Sequence, residues 1–131
     1  MHIKAYQQLI AWQKAIALVT CIYSVTSKFP RDEIYGLTRQ LRRAAVSVPS
    51  NIAEGQGRAT RGEFIQFLGH ARGSLYELET QTVIGKNLDY ITLEEQESLS
   101  VSITELGRIL NGLITSLQKP NLRSKTLATD H

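Results

Sequence analysis

Two sets of side chains in this chain of 131 residues have the types and the spacing to do chemistry. The first is a polar strip. At about 100° per residue on a helix, Gln40, Arg43, Ser47, Asn51 and Glu54 fall along one flank of an apolar stripe formed by Leu37, Leu41, Ala44, Val48 and Ile52. A counterpart follows in Arg72, Ser74 and Glu77, with Glu79 beside them. If these two stretches are antiparallel neighbours, Arg72 is expected to meet Glu54, and Glu77 or Glu79 to meet Arg43. Charges taken out of water cost several kcal/mol each unless paired, so such a strip reads as a network that sets helix register or a subunit contact. The second set is Arg39, Arg42, Arg58 and Arg61. A guanidinium fork binds phosphate oxygens in pairs, and each such contact releases counterions, so these four are the candidates for touching nucleic acid. Ordinary solubilising charge is the competing reading, because no aromatic stacking platform accompanies them along the chain.

No reaction is written in the remaining residues. Glutamate is nowhere followed by histidine three residues later, the pairing a di-metal bundle requires, and His2, His70 and His131 are isolated. His70 is expected as a hydrogen bonder on a helix flank. Serines lack a nucleophile-elbow setting, and Gly55-Gln56-Gly57-Arg58 has neither the strand nor the Gly-Lys-Ser/Thr element of a phosphate loop. The expectation is therefore no catalytic residue, no cofactor and no metal. An RNA-processing role for Glu54, Arg43 or Glu77 has no specific support. Cys21 is the single cysteine, which excludes an internal disulfide; it is expected to be a small buried hydrophobe in a reducing compartment.

The elements that must position these residues are helical. Positions 6–27 lack proline and glycine, and Leu9, Trp12, Ile16, Val19 and Tyr23 repeat at spacings of three and four. A second row, Ala15, Leu18, Ile22 and Val25, lies beside them and widens the apolar arc well beyond an ordinary core-facing stripe. The outer row is expected to meet another subunit, since an exposed patch of that size invites association. Phe29-Pro30 ends the first helix, and a second is expected over 32–54, kinked near Pro49, whose ring removes a donor and crowds the Ala45 carbonyl. Thr60-Arg61-Gly62-Glu63 and Thr92-Leu93-Glu94-Glu95 are capping-box patterns that open helices over 61–86 and 93–118. The third carries Phe64, Leu68, Ala71, Leu75, Leu78 and Thr82 inward. The fourth carries Leu99, Ile103, Leu106, Leu110, Leu113 and Leu117. Pro120 stops it, and 119–131 reads as a loose tail. The fold class is all-α: an up-and-down antiparallel four-helix bundle in one domain over 1–118.

Net charge is +3, and its distribution matters more than its size. Positions 31–72 hold seven arginines against four acids, whereas 93–117 hold four glutamates and one arginine, so the positive field belongs to the second helix and the turn after it. Neither a membrane-spanning run nor a signal sequence is evident, and a cytoplasmic location is expected.

With those residues placed, the chain resembles the small four-helix-bundle proteins encoded in intervening sequences of bacterial 23S ribosomal RNA genes. The matching words are AWQKA at 11–15, FPRDEIYGLTRQLRRAAVSVPSNIAEG at 29–55, EFIQFLGHARGSLYELET at 63–80 and LDYI at 88–91. The resemblance implies a homo-oligomer, commonly a pentamer, without established catalytic activity. That family is similar in turn to the accessory protein of diversity-generating retroelements, a basic pentameric bundle that binds nucleic acid and a reverse transcriptase. The leading expectation is a non-enzymatic homo-oligomeric scaffold contacting RNA or DNA through its arginines. The rival is a protein-interaction module that docks a partner helix on the outer row of helix one, with no nucleic-acid role.

Overall fold

The computed structural model describes residues 4–120; His2, His131 and the tail beyond Pro120 lie outside them. Four helices follow one another: α1 (Ile10–Thr26), α2 (Leu37–Gln56), α3 (Arg61–Asn87) and α4 (Leu93–Gln118). Contacts join α1 to α2, α2 to α3, α3 to α4 and α4 back to α1, with α2 and α3 the most extensively packed pair. Each neighbour runs antiparallel to the last: Ser47 meets Ser74, Arg72 meets Asn111, and Lys14 of α1 and Lys28 just after it meet Glu105 and Glu95 of α4. An up-and-down four-helix bundle results, and no helix among the described residues is long and apolar enough to cross a membrane.

The apolar stripes of α2, α3 and α4 face inward as their periodicity requires. Leu41, Val48, Ile52, Leu68, Leu75, Leu78, Leu106 and Leu110 are wholly enclosed, with Leu37, Ala44, Ala71, Thr82, Leu99 and Ile103 around them. Two helices start later than their sequence pattern suggests. A 3-10 turn over Ala5–Gln8 and an extended Leu9 precede α1. A second 3-10 turn over Arg31–Glu33 precedes α2, whose Leu37 N–H is capped by the Glu33 carboxylate at 3.2 Å. Pro49 sits inside α2 without ending it. Just after its missing donor, the Ser50 hydroxyl and the Asn51 amide donate to the Val46 and Ser47 carbonyls, both at 2.8 Å, adding side-chain bonds to the turn where the ring removes a backbone one.

Thr92 and Glu95 form the full reciprocal cap of α4. At α3 only half of that box is made: the Thr60 oxygen accepts the Glu63 N–H, while the Glu63 carboxylate takes the Thr60 hydroxyl. Between α3 and α4 the chain turns through a Schellman motif. Tyr90 N–H donates to Gly85 O at 2.9 Å and Asp89 N–H to Lys86 O at 3.0 Å, with Asp89 in the left-handed region at φ 63°.

Helix α1 departs from expectation. Ala15, Leu18 and Ile22, expected on a subunit contact, are 1, 3 and 0% exposed within the chain's own core, and Val25 packs against that core half-buried. Ile16 and Tyr23 of the other row are the exposed ones, at 39 and 43%, with Leu9, Trp12 and Val19 half-buried. The physical reason is size: Ala11 and Ala15 let α1 sit close to its neighbours at a place where Trp12 would hold it away. The same rotation turns Cys21 outward, so the cysteine is exposed rather than buried.

Two glycines mark close approaches between separate segments of the chain. A Cβ on Gly55 would stand 2.7 Å from Phe67 Cβ and 3.3 Å from the Phe64 carbonyl, and one on Gly85 would stand 2.7 Å from the Ile91 side chain. Gly73, also inside α3, has nothing within 4 Å of the same position. Replacing a mid-helix glycine by alanine gains up to about 1 kcal/mol when space allows. Gly73→Ala is therefore expected to raise the denaturation midpoint. Gly55→Ala is expected to lower it, because backbone-fixed atoms of α3 cannot move away; urea unfolding of both variants checks the opposite signs.

The Lys28 ammonium, and after it the Thr92 backbone N–H, hold the Glu95 carboxyl below its ordinary value of 4.5. A carboxyl whose folded value is depressed stabilises the fold above its unfolded value and loses that contribution as pH falls through the folded one. Glu95→Gln should therefore cost up to about 1 kcal/mol at pH 7, and the gap to the parent chain should close as the pH is taken below 4, measured by urea unfolding at each pH.

Candidate nucleic-acid interface

Helix α2 presents its outer surface between α1 and α3. Because Leu41, Ala44, Val48 and Ile52 point inward, Arg39, Arg42, Arg43 and Val46 are carried outward by the same helical repeat. They meet Tyr23 of α1 and Ile34 of the preceding loop around a groove of about 540 Å³ that Thr38 and Ser47 complete. Three guanidinium groups line it and, among the described residues, no carboxylate does, so its lining carries net positive charge.

Arg42 is fixed in place. Its Nε donates to Thr26 Oγ1 at 2.9 Å, and its guanidinium carbon lies 4.5 Å above the centroid of the Tyr23 ring. Thr26 can accept because its own hydroxyl proton is given to the Ile22 carbonyl at 2.7 Å. Arg39 and Arg43 flank it one turn apart, exposed, with no hydrogen bond or ion pair among the described residues.

The four arginines expected on nucleic acid therefore divide. Arg39 and Arg42 share the groove, while Arg58 and Arg61 lie at the far end of α2, sixteen residues or about 24 Å along the axis from Arg42 to Arg58. Arg58 is paired with Glu54 at 2.7 Å and stacked 4.7 Å from the Phe67 centroid, and Arg61 donates to the Lys119 carbonyl at 3.2 Å. No aromatic partner for these arginines shows along the chain, because Tyr23 and Phe67 come from other helices; only the bundle brings them beside Arg42 and Arg58. Tyr23, Ile34 and Val46 were missed as members of a site, and their sole sequence signal was apolar character outside the inward stripes.

The polar strip is brought together only in its middle. Ser47 and Ser74 hydroxyls lie 2.8 Å apart across α2 and α3, and Asn51 Nδ2 donates to Ser47 Oγ at 3.0 Å. The cross-helix ion pairs expected around them do not form. Glu54 lies level with Phe67, which packs beside Gly55, about 7 Å along the axis from Arg72, so Glu54 turns to Arg58. Arg72 points instead to α4 and donates to Asn111 Oδ1 at 2.9 Å. Glu77 accepts from Gln81 within α3 at 3.2 Å, while Arg43 and Gln40 face solvent. Glu54 is thus drawn to Arg58, whereas Arg43 and Glu77, both exposed and at similar heights on α2 and α3, form no ion pair with each other. His70, expected to hydrogen-bond, instead sets its ring edge-on to Phe67 at 5.8 Å. No group of three or more histidine, cysteine, aspartate or glutamate side chains that could hold a metal ion occurs among the described residues.

The opposite side of the bundle carries the compensating charge. Helix α4 holds Glu94, Glu95, Glu97 and Glu105 against Arg108, and it makes no contact with α2. Positive and negative helices therefore stand on the diagonal. Lys14 and Lys28 neutralise part of the acidic side through Glu105 and Glu95.

Comparison with known proteins gives a family and a fold. A family model described as 23S rRNA-intervening sequence protein matches residues 7–112. A crystal structure of a protein of unknown function from the S23 ribosomal protein family of Bacteroides thetaiotaomicron VPI-5482 superposes with a TM-score of 0.75 at 24% identity, covering 80% of this chain and 98% of that one. No curated protein matches.

Proposed function

The chain belongs to the 23S rRNA-intervening sequence protein family, and we propose that it acts without catalysis, as a homo-oligomeric scaffold that contacts nucleic acid through the arginines of α2. The observation that carries this reading is the groove itself: Arg39, Arg42 and Arg43 line it together with Tyr23, Ile34 and Val46, and no carboxylate of the described residues does. A polyanion is the ligand class that such a field selects. Arg39 and Arg43, without a hydrogen-bond or ion-pair partner among the described residues, are the guanidinium groups on offer to a phosphate backbone.

Self-association rests on a different surface from the one the sequence suggested. With Ala15, Leu18 and Ile22 inside the core, an apolar face open to a second copy is the seam formed by Trp12, Ile16 and Val19 of α1 with Val46, Pro49 and Ala53 of α2. Five copies, the number implied by the family resemblance, would repeat the arginine groove around a ring and multiply a weak site by effective concentration. The rival role, a module docking a partner helix on the outer row of helix one, loses the row it was assigned. A cytoplasmic setting suits both an exposed free thiol at Cys21 and a nucleic-acid ligand.

Light scattering and salt titration test the two halves separately. The expected results are a mass several times that of the 14.7 kDa chain and a log affinity for RNA or DNA that falls linearly with log salt. Arg39→Gln and Arg43→Gln should each reduce the slope by about one phosphate contact. A monomer would remove the scaffold, binding that is absent or indifferent to salt would remove the nucleic-acid contact, and turnover of a bound RNA would overturn the non-enzymatic role.

A further inference from the structure

We propose that the groove between α1 and α2 seats one unpaired nucleotide of single-stranded RNA or DNA, its base laid on the Arg42 guanidinium and its flanking phosphates on Arg39 and Arg43. This deepens the nucleic-acid reading above and rests on it.

Four observations point to a base as well as a phosphate. The groove, at about 540 Å³, lies within the ~300–1,000 Å³ of small-ligand sites, a size that suits a nucleotide rather than the flank of a duplex. Its lining includes the exposed apolar surfaces of Tyr23, Ile34 and Val46, which a sugar-phosphate backbone alone would not require. Arg42 is half-buried and lies on Tyr23 with its Nε edge spent on Thr26. Its plane and terminal nitrogens are therefore preorganised, and little side-chain entropy remains to be lost on binding. A guanidinium plane is one of the surfaces on which unstacked bases lie in sequence-tolerant single-strand sites. Arg39 and Arg43 are four residues apart on the same helix face, about 5–6 Å between Cβ atoms, and both are exposed on the rim.

Duplex and single strand use this surface differently. In a duplex the base faces are already stacked on one another, so only the rim arginines could reach its phosphates and the Arg42–Tyr23 stack would go unused. A single strand can turn one base into the groove and engage all three arginines. Selectivity for unpaired nucleic acid thus follows from the half-buried arginine, whereas the exposed pair supplies affinity for any strand.

Fluorescence anisotropy of the full chain with a labelled 12-nucleotide RNA, the DNA of the same sequence and the matching duplexes tests this at low salt. Single strands should bind at least tenfold tighter than duplexes. Arg42→Lys, which keeps the charge but loses the plane, and Tyr23→Leu, which removes the ring beneath it, should each weaken single-strand binding by roughly 5- to 150-fold, the range carried by stacking of one base. Duplex binding should barely change in either variant. Thermal melts of each variant confirm folding. RNA bound more tightly than DNA would assign the 2′-hydroxyl a contact within the same seat; equal binding would leave the base and phosphates as the whole of it, and both outcomes support the seat. Duplexes bound as tightly as single strands, or Arg42→Lys and Tyr23→Leu without effect while Arg39→Gln and Arg43→Gln weaken every complex, would overturn the nucleotide seat and leave the nucleic-acid reading standing. No binding to any of the probes would remove both.

Discussion

Everything on the surface of this bundle depends on the direction in which α2 faces. Leu37, Leu41, Ala44, Val48 and Ile52 occupy one narrow stripe and are all buried, so the helix has one rotational setting that keeps them dry. Turning it to expose Leu41 would press Arg42 or Arg43 toward the core, where an unpaired charge costs several kcal/mol. Tight contact at Gly55 with Phe64 and Phe67 fixes the helix's height against α3 as the stripe fixes its rotation. With rotation and height both set, Arg39, Arg42 and Arg43 have no freedom of placement beyond their own side chains. Arg42 in particular must fall beside Tyr23 and Thr26 of α1.

Much of this architecture was legible in the residues, and the failures have identifiable causes. Helices α2, α3 and α4 carry single stripes with one possible inward direction, and each faces as its pattern requires. Helix α1 carries two adjacent stripes. Periodicity there says that the helix is apolar over a wide arc but does not say which part of the arc is inside. The larger side chains of the row containing Trp12 and Tyr23 suggested the core, yet small Ala11 and Ala15 allow the closer approach that the bundle adopts. The cross-helix pairing of the polar strip depended on register. Ser47 and Ser74 meet as equal heights allow, while Glu54 and Arg72 miss by more than one helical turn. Nothing in either helix alone sets that offset.

The candidate site was half visible for the same reason. Its arginines lie within five residues of one another and announce a positive surface; the ring that makes Arg42 rigid is nineteen residues upstream on another helix. Arg58 repeats the arrangement with Phe67, but its charge is taken by Glu54, which leaves it less to offer an anion. Two arginine–aromatic stacks of similar geometry thus differ in whether an acid sits beside them. Membership of the 23S rRNA-intervening sequence family agrees with the bundle and leaves the chemistry of the surface to be argued from these side chains.

The central claim, that Arg42 is a preorganised recognition group rather than a structural tether, can be observed at the atom concerned. Nitrogen-15 NMR of the arginine Nε–H groups during titration with a short single-stranded oligonucleotide reports each guanidinium separately. The account predicts that the Arg42 resonance, held by Thr26 and shifted by the Tyr23 ring, moves most, together with those of Arg39 and Arg43. Perturbation confined to Arg58 and Arg61, with Arg42 unmoved, would contradict it.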